Sequence, residues 1–217
     1  HHRLEDAIDL LAEIGYRGIA ITLDVHHLDP TASDLDRRCA AIRKRIEAVG
    51  LQPTIETGAR FLLNPQRKHF PSLMSSGAPT RIEYLKRSVD VAAALGAQVV
   101  SLWAGHDFDD VGPAVAWTRL VDGISMVCEY AGRAGVRIGF EPEPGMYIDT
   151  VFGYARLRDA VQRPELGLAL DIGHLLVTGE CTVPVALRAF APDIVSLAIE
   201  AMARGVHRHL PFGAGDI

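Results

Sequence analysis

The sequence predicts an α/β fold in which parallel strands are wrapped by helices, a (β/α)8 TIM barrel over most of its circumference. Three observations predict it. An amphipathic helix, a glycine and a short apolar strand recur along the chain, and the strands are nearly continuous apolar runs. Nearly every strand also stops on a polar or acidic residue: Asp24, Glu56, Glu141, Asp171 and Glu200. Continuous apolar strands are buried on both faces, the condition of parallel sheets covered by helices. Strand ends of one polarity are expected when all C-terminal ends converge on one mouth.

In order along the chain, Leu4, Ile8, Leu11 and Ile14 mark the first helical face, Gly15 closes it, and Gly18 to Asp24 follows as a strand. Ile42, Ile46 and Val49 precede Gly50 and the strand Pro53 to Glu56; Leu85, Val89 and Leu95 precede Gly96 and the strand Gln98 to Trp103. Leu120, Ile124, Val127 and Ala131 lead to Gly135 and a strand ending at Glu141. A helix from Val151 to Val161, capped by Asp149 or Thr150, leads to Gly167 and the strand ending at Asp171. The last unit runs from Val185 to Phe190 and into the strand Ile194 to Glu200.

Six strands would satisfy an open doubly wound sheet, whereas a barrel takes eight and about 250 residues. The barrel is preferred because the acidic strand ends recur around the sheet and no G-x-G-x-x-G or Walker sequence follows any strand. The chain opens in a helix and stops at Gly213-Ala214-Gly215-Asp216-Ile217, so the barrel is expected to be incomplete at both ends, without its first and eighth strands.

The 217 residues are 48% hydrophobic, show no low-complexity linker and read as one domain over 1–217. A formal charge of −5 gives no bulk attraction to nucleic acid or an anionic membrane, so small-molecule partners are expected. Cys39, Cys128 and Cys181 form no C-x-x-C and read as small core residues in a reducing compartment. No apolar stretch approaches the ~20 residues of a membrane helix, and the N-terminus has no signal-peptide core; a cytoplasmic location is expected. His1 and His2 read as terminal or tag residues.

Glu141 and Asp171 end consecutive strands, so in a barrel their carboxylates point into one mouth, where hard oxygen ligands suit Mg2+ or Mn2+ and added imidazoles suit Zn2+ or Co2+. His174, three residues after Asp171, faces the same place. His207-Arg208-His209 reads as an H-x-H in a loop whose imidazoles can reach one metal, while His26, His27 and His106 lie at other strand ends. The segment Glu56 to His69 sets Arg60, Arg67 and Lys68 beside a carboxylate, a combination able to hold a phosphate or sugar acid.

From Leu11-Ala12-Glu13-Ile14-Gly15-Tyr16-Arg17-Gly18 to the final Gly213-Ala214-Gly215-Asp216-Ile217, the chain resembles the xylose-isomerase-like TIM barrels. That group holds sugar-phosphate isomerases and epimerases, ketose 3-epimerases and an apurinic-site endonuclease branch. The resemblance implies a divalent metal on a glutamate, an aspartate, a histidine and a second glutamate. Glu141 matches the first and Asp171 the second; Ala198 stands in the histidine's place, and nothing matches the fourth. It also implies that His174 and Arg204 contact substrate, and that His207 and His209 fall on a zinc-binding pair of the endonuclease branch. Ala201, Ala203 and Ala214 likewise stand where relatives carry functional side chains, and Tyr147 replaces the second carboxylate of the ketose epimerases.

The function this implies is a metal-dependent sugar or sugar-phosphate isomerase or epimerase acting through an enediolate, impaired to the extent that Ala198 weakens the metal site. Glu141 would be ligand and base, with Glu143 or Glu200 moving the proton; Asp171, His207 and His209 would complete the metal site. His174, Arg204, Glu56, Arg60 and His106 would line the carbohydrate. Two alternatives stand beside it: an abasic-site endonuclease, and a non-catalytic binding or assembly homologue. Unpaired sheet edges would also favour a homo-oligomer.

Overall fold

The computed structural model describes residues 2–217, so His1 of the expected terminal pair lies outside it. Six parallel strands follow one another in sheet order: β1 (Gly18–Thr22), β2 (Gln52–Glu56), β3 (Val99–Leu102), β4 (Arg137–Phe140), β5 (Leu166–Asp171) and β6 (Ile194–Ala198). Helices α1 (Leu4–Ile14), α2 (Leu35–Val49), α3 (Ala78–Leu95), α4 (Pro113–Arg133) and α5 (Val151–Val161) alternate with them, and α6 (Ile172–Thr178) and α7 (Val183–Phe190) link β5 to β6. The expected α/β barrel architecture is present as a half-barrel that stays open, with β1 and β6 as its edges among the described residues.

The two faces of the sheet follow from the period-two alternation of a strand. Outward, Ile21, Ile55, Val100, Ile138, Phe140, Leu168 and Leu170 are buried against helix residues such as Leu85, Val89, Leu120, Ile124 and Val127. Inward, space is tight: a side chain begun at Gly139 would stand 3.2 Å from Val99 and 3.3 Å from Ala169 and Val195. Glu56 and Ser101 share a register level, as do Ser101 and Gly139, and Asp171 pairs with Ala198. Two residues beyond Gly139 on the same side comes Glu141, so Glu56, Glu141, Asp171 and Ala198 all face the inner, mouth side.

Helices α1, α2 and α3 end where expected, on glycines at φ 99°, 73° and 76°, the left-handed region that other residues avoid. Cys39 and Cys128 are buried and Cys181 is half-buried. Three expectations are corrected. Ile14 is 62% exposed, because α2 is the helix neighbour of α1 and its other flank is open. Strand β6 stops at Ala198, before Glu200, just as β1 stops at Thr22, before Asp24, and β4 at Phe140, before Glu141. His207-Arg208-His209 is not a loop: it lies in β8 (Val206–Leu210), which pairs antiparallel with β7 (Ala201–Ala203) through a turn at Arg204 and Gly205. The residues of β8 are largely exposed. Backbone pairing, not burial, makes this strand, which is why no apolar pattern announces it.

Candidate active site

Glu141 leaves the end of β4 with its N–H donating to the Leu102 carbonyl at 2.8 Å, which ties it to β3. Asp171 ends β5 and becomes the N-cap of α6: Oδ1 accepts from the backbone N–H of Gly173 at 2.6 Å and of His174 at 3.3 Å. A side chain at position 173 would start 3.0 Å from that oxygen, so glycine lets the cap close. Oδ2 remains to face the mouth, 3.9 Å from His174 Nε2.

His174 Nδ1 lies 3.0 Å from the Pro142 carbonyl oxygen. A carbonyl only accepts, so Nδ1 carries a hydrogen and Nε2 is the ring nitrogen turned toward the carboxylates. That nitrogen is 3.8 Å from Glu143 Oε2. From the hairpin, His207 Nε2 comes within 3.7 Å of Glu143 Oε1, its ring standing nearly perpendicular to His174 with centroids 5.0 Å apart. His209 turns instead to Glu200, Nδ1 lying 2.5 Å from Oε2 without the alignment of a hydrogen bond.

The electrostatics follow from this crowding. Burial first, then the like charges of Glu143, Glu56, Asp171 and Glu200, push the Glu141 carboxyl up to about 9. Burial also raises Glu56, against the opposing hydrogen bond of the Ser101 side chain. Two groups of side chains bring one ligand atom each within 4.8 Å of one another, Glu141–Asp171–His174 and Glu143–His174–His207, sharing His174. Carboxylate oxygens with one or two imidazoles suit Mn2+, Co2+ or Zn2+, and fewer protein ligands than a full shell leave positions open.

Of the residues singled out in the sequence, the structure gathers Glu56, Glu141, Glu143, Asp171, His174, Glu200 and His207. Ala198 stands in register with Asp171 on its side of the sheet, offering a methyl group where a ligand would reach. Arg204 sits exposed in the β7–β8 turn, its backbone N–H donating to Asp216 Oδ2 at 2.9 Å, and borders a hollow behind α6 with Leu175 and Cys181. Arg60 borders another hollow, with His26 and His27, and His106 lies edge-on to Phe108 with centroids 5.6 Å apart. The grouping of Glu143 with His174 and His207 was missed in the sequence. Its one signal is that Glu143 follows Glu141 by two residues, the spacing that keeps side chains on one side of an extended chain.

A sequence profile described as xylose isomerase-like TIM barrel matches residues 8–217. The chain belongs to that family. Inosose dehydratase of Lacticaseibacillus casei is 28% identical over 182 residues, which are 81% of this chain and 56% of that protein. The chain therefore spans a little over half the length of this curated family relative. Among solved structures, L-ribulose 3-epimerase superposes with a TM-score of 0.76 at 23% identity, covering 99% of this chain and 68% of that one. D-allulose 3-epimerase from Methylomonas sp. gives 0.74 at 20% identity, with 99% and 70% covered. At these identities the likeness is one of xylose isomerase-like fold. No helix among the described residues is long and apolar enough to cross a membrane.

Proposed function

We propose that this chain carries the active site of a divalent-cation-assisted enzyme that removes a proton from the carbon beside the carbonyl of a sugar or related keto-polyol. The observation that carries the reading is the convergence of one ligand atom each from Glu141, Asp171 and His174 within 4.8 Å of one another, inside a crowd of carboxylates that a cation would relieve. The names of the relatives agree with it. A 3-epimerase inverts a carbon next to a ketose carbonyl, and an inosose dehydratase expels water from a cyclic keto-polyol; both begin by taking an acidic proton beside C=O.

Glu141, Asp171 and His174 would hold the cation, which supplies charge stabilisation for the enediolate oxygens when bound. Glu143, part-exposed between the two imidazoles, is placed to accept the proton, and His207 beside it to pass that proton to solvent. His174 is held in orientation by Pro142. Tyr147 occupies the place of a second carboxylate and turns its hydroxyl away, donating to the Pro113 carbonyl at 2.8 Å. One proton-accepting face favours isomerisation or elimination over inversion.

Two measurements test this. Mn2+ titration should show binding that falls at least tenfold in Asp171→Asn and rises in Ala198→His, which puts an imidazole in register with Asp171. In D2O, a keto-sugar panel followed by proton NMR should show deuterium entering the carbon beside the carbonyl, and Glu143→Gln should abolish it. If neither the wild type nor Ala198→His binds Mn2+, Co2+ or Zn2+, the reading fails.

A further inference from the structure

A second hollow is lined by apolar side chains such as Phe61 and Leu62 as well as by His26, His27 and Arg60. It lies at the C-terminal ends of β1 and β2, measures about 1160 Å3 and is bordered also by Gly58 and Ala59, with Asp24 as its acid. Asp24 is engaged locally, its Oδ1 accepting from the Val25 N–H at 2.6 Å. Arg60 is exposed and forms no ion pair among the described residues, and neither do His26 and His27. Lys68 follows on the same loop. The Arg67 guanidinium nearby stands over the edge-on pair of Phe70 and Phe108, 4.5 and 4.6 Å from their centroids. The positive field here is felt by a neighbour: after burial itself, Lys68, Arg81 and Arg60 help hold the buried His69 down to about 4.

Strand β2 links the hollow to the carboxylate site along the chain. Glu56, whose charge acts on Glu141, ends that strand, and Gly58 and Arg60 follow two and four residues later. At about 3.3 Å per residue the guanidinium is anchored on the order of 13 Å along the chain from Glu56. A free guanidinium with imidazoles beside one hollow, and carboxylates at the neighbouring strand ends, is complementary to a ligand with an anionic group on one end and neutral oxygens on the other.

We infer that the Arg60 hollow is an anion subsite, and that the substrate is an acidic sugar, bearing a phosphate or carboxylate group that docks on Arg60, His26 and His27. The orientation of that substrate rests on the proposed function, which places the carbonyl end at Glu141 and Asp171. The anion site itself does not.

Inorganic phosphate, titrated into metal-free protein at low ionic strength and followed by calorimetry, should bind in the millimolar range. Arg60→Gln should weaken it about tenfold, the worth of one charge-assisted contact, and Arg60→Lys should fall between. Glucose 6-phosphate, gluconate and glucose distinguish the source of the charge: the first two should lose affinity in Arg60→Gln, and glucose should not. Thermal melts check that the exposed substitution leaves the fold intact. Phosphate affinity unchanged by Arg60→Gln, or no binding at tens of millimolar, overturns the subsite. So does Arg60-dependent binding of abasic duplex DNA with no response to the acidic sugars. If Mn2+ binds while phosphate does not, the subsite alone fails; if phosphate binds in an Arg60-dependent way to a protein that takes up no Mn2+, Co2+ or Zn2+, the proposed function fails and the subsite stands.

Discussion

Asp171 does two jobs with two oxygens. Oδ1 satisfies the first amides of α6, and Oδ2 faces the carboxylate cluster. Asparagine is as good an N-cap as aspartate but a poor metal ligand, so Asp171→Asn should keep thermal stability within about 1 kcal/mol, while Asp171→Ala should lose about 1–2 kcal/mol. Differential scanning calorimetry of both metal-free variants reads the difference. Glu141 makes the fold pH-sensitive in an unusual direction. Its folded value of about 9 lies above the ordinary 4.5, so between these values the native state keeps a proton that the unfolded chain has released, and stability falls as pH rises. His69 acts oppositely: buried against Trp103 with Nδ1 unpartnered, it sits at about 4 instead of 6.5. Protonation then favours the unfolded chain, and stability falls as pH drops from about 6.5 to 4. Urea midpoints of metal-free protein should therefore be nearly level between about pH 4.5 and 6.5, where the two slopes cancel, and decline on either side of that range. Saturating Mn2+ should remove the alkaline decline and leave the acid one, and a curve flat from pH 6 to 9 without metal would contradict the crowding at Glu141.

At the scale of elements, α5 shows how distant residues finish a local job. Thr150 caps it through Gly153 N at 3.1 Å, as the sequence leads one to expect. The Val151 and Phe152 amides go instead to the Glu180 carboxylate, at 2.9 and 3.3 Å, from the segment after α6. An anion at a helix N-terminus is stabilised by both hydrogen bonds and dipole, so Glu180→Ala should cost about 1–2 kcal/mol and lower the melting temperature, whereas Glu180→Gln should cost less. Thr150 was legible because N-caps are local; Glu180 was not, because the helix it serves lies 29 positions away. The same reason separates what else could be read. Strands β3, β4 and β5 announce themselves as apolar runs because they are buried, and Glu141 and Asp171 because they end such runs. The hairpin carrying His207 is exposed and exists only through cross-strand pairing, so neither its structure nor the meeting of His207 with Glu143 had a local signal.

For the whole molecule, the exposed edge of β6 bears on association. Edge strand β6 carries Leu197, in register with Leu170 on the helix-facing side, yet 48% exposed, and Ile199 beyond it is 55% exposed. The chain passes from β6 into the β7–β8 hairpin, and no helix among the described residues covers these side chains as others cover Leu170. Exposed apolar groups beside unpaired backbone are a template for association. Light scattering should show a mass that rises with protein concentration, and Leu197→Lys should suppress that rise by setting a charge on the edge. The substitution lies on the opposite side of the strand from Ala198, which shares the side of Asp171, so Mn2+ affinity should be unchanged in it. Loss of association with metal binding retained would assign self-association to the β6 edge and keep it separate from the mouth. A wild-type chain that stays monomeric at high concentration would mean that the edge is protected by its own twist and the neighbouring hairpin.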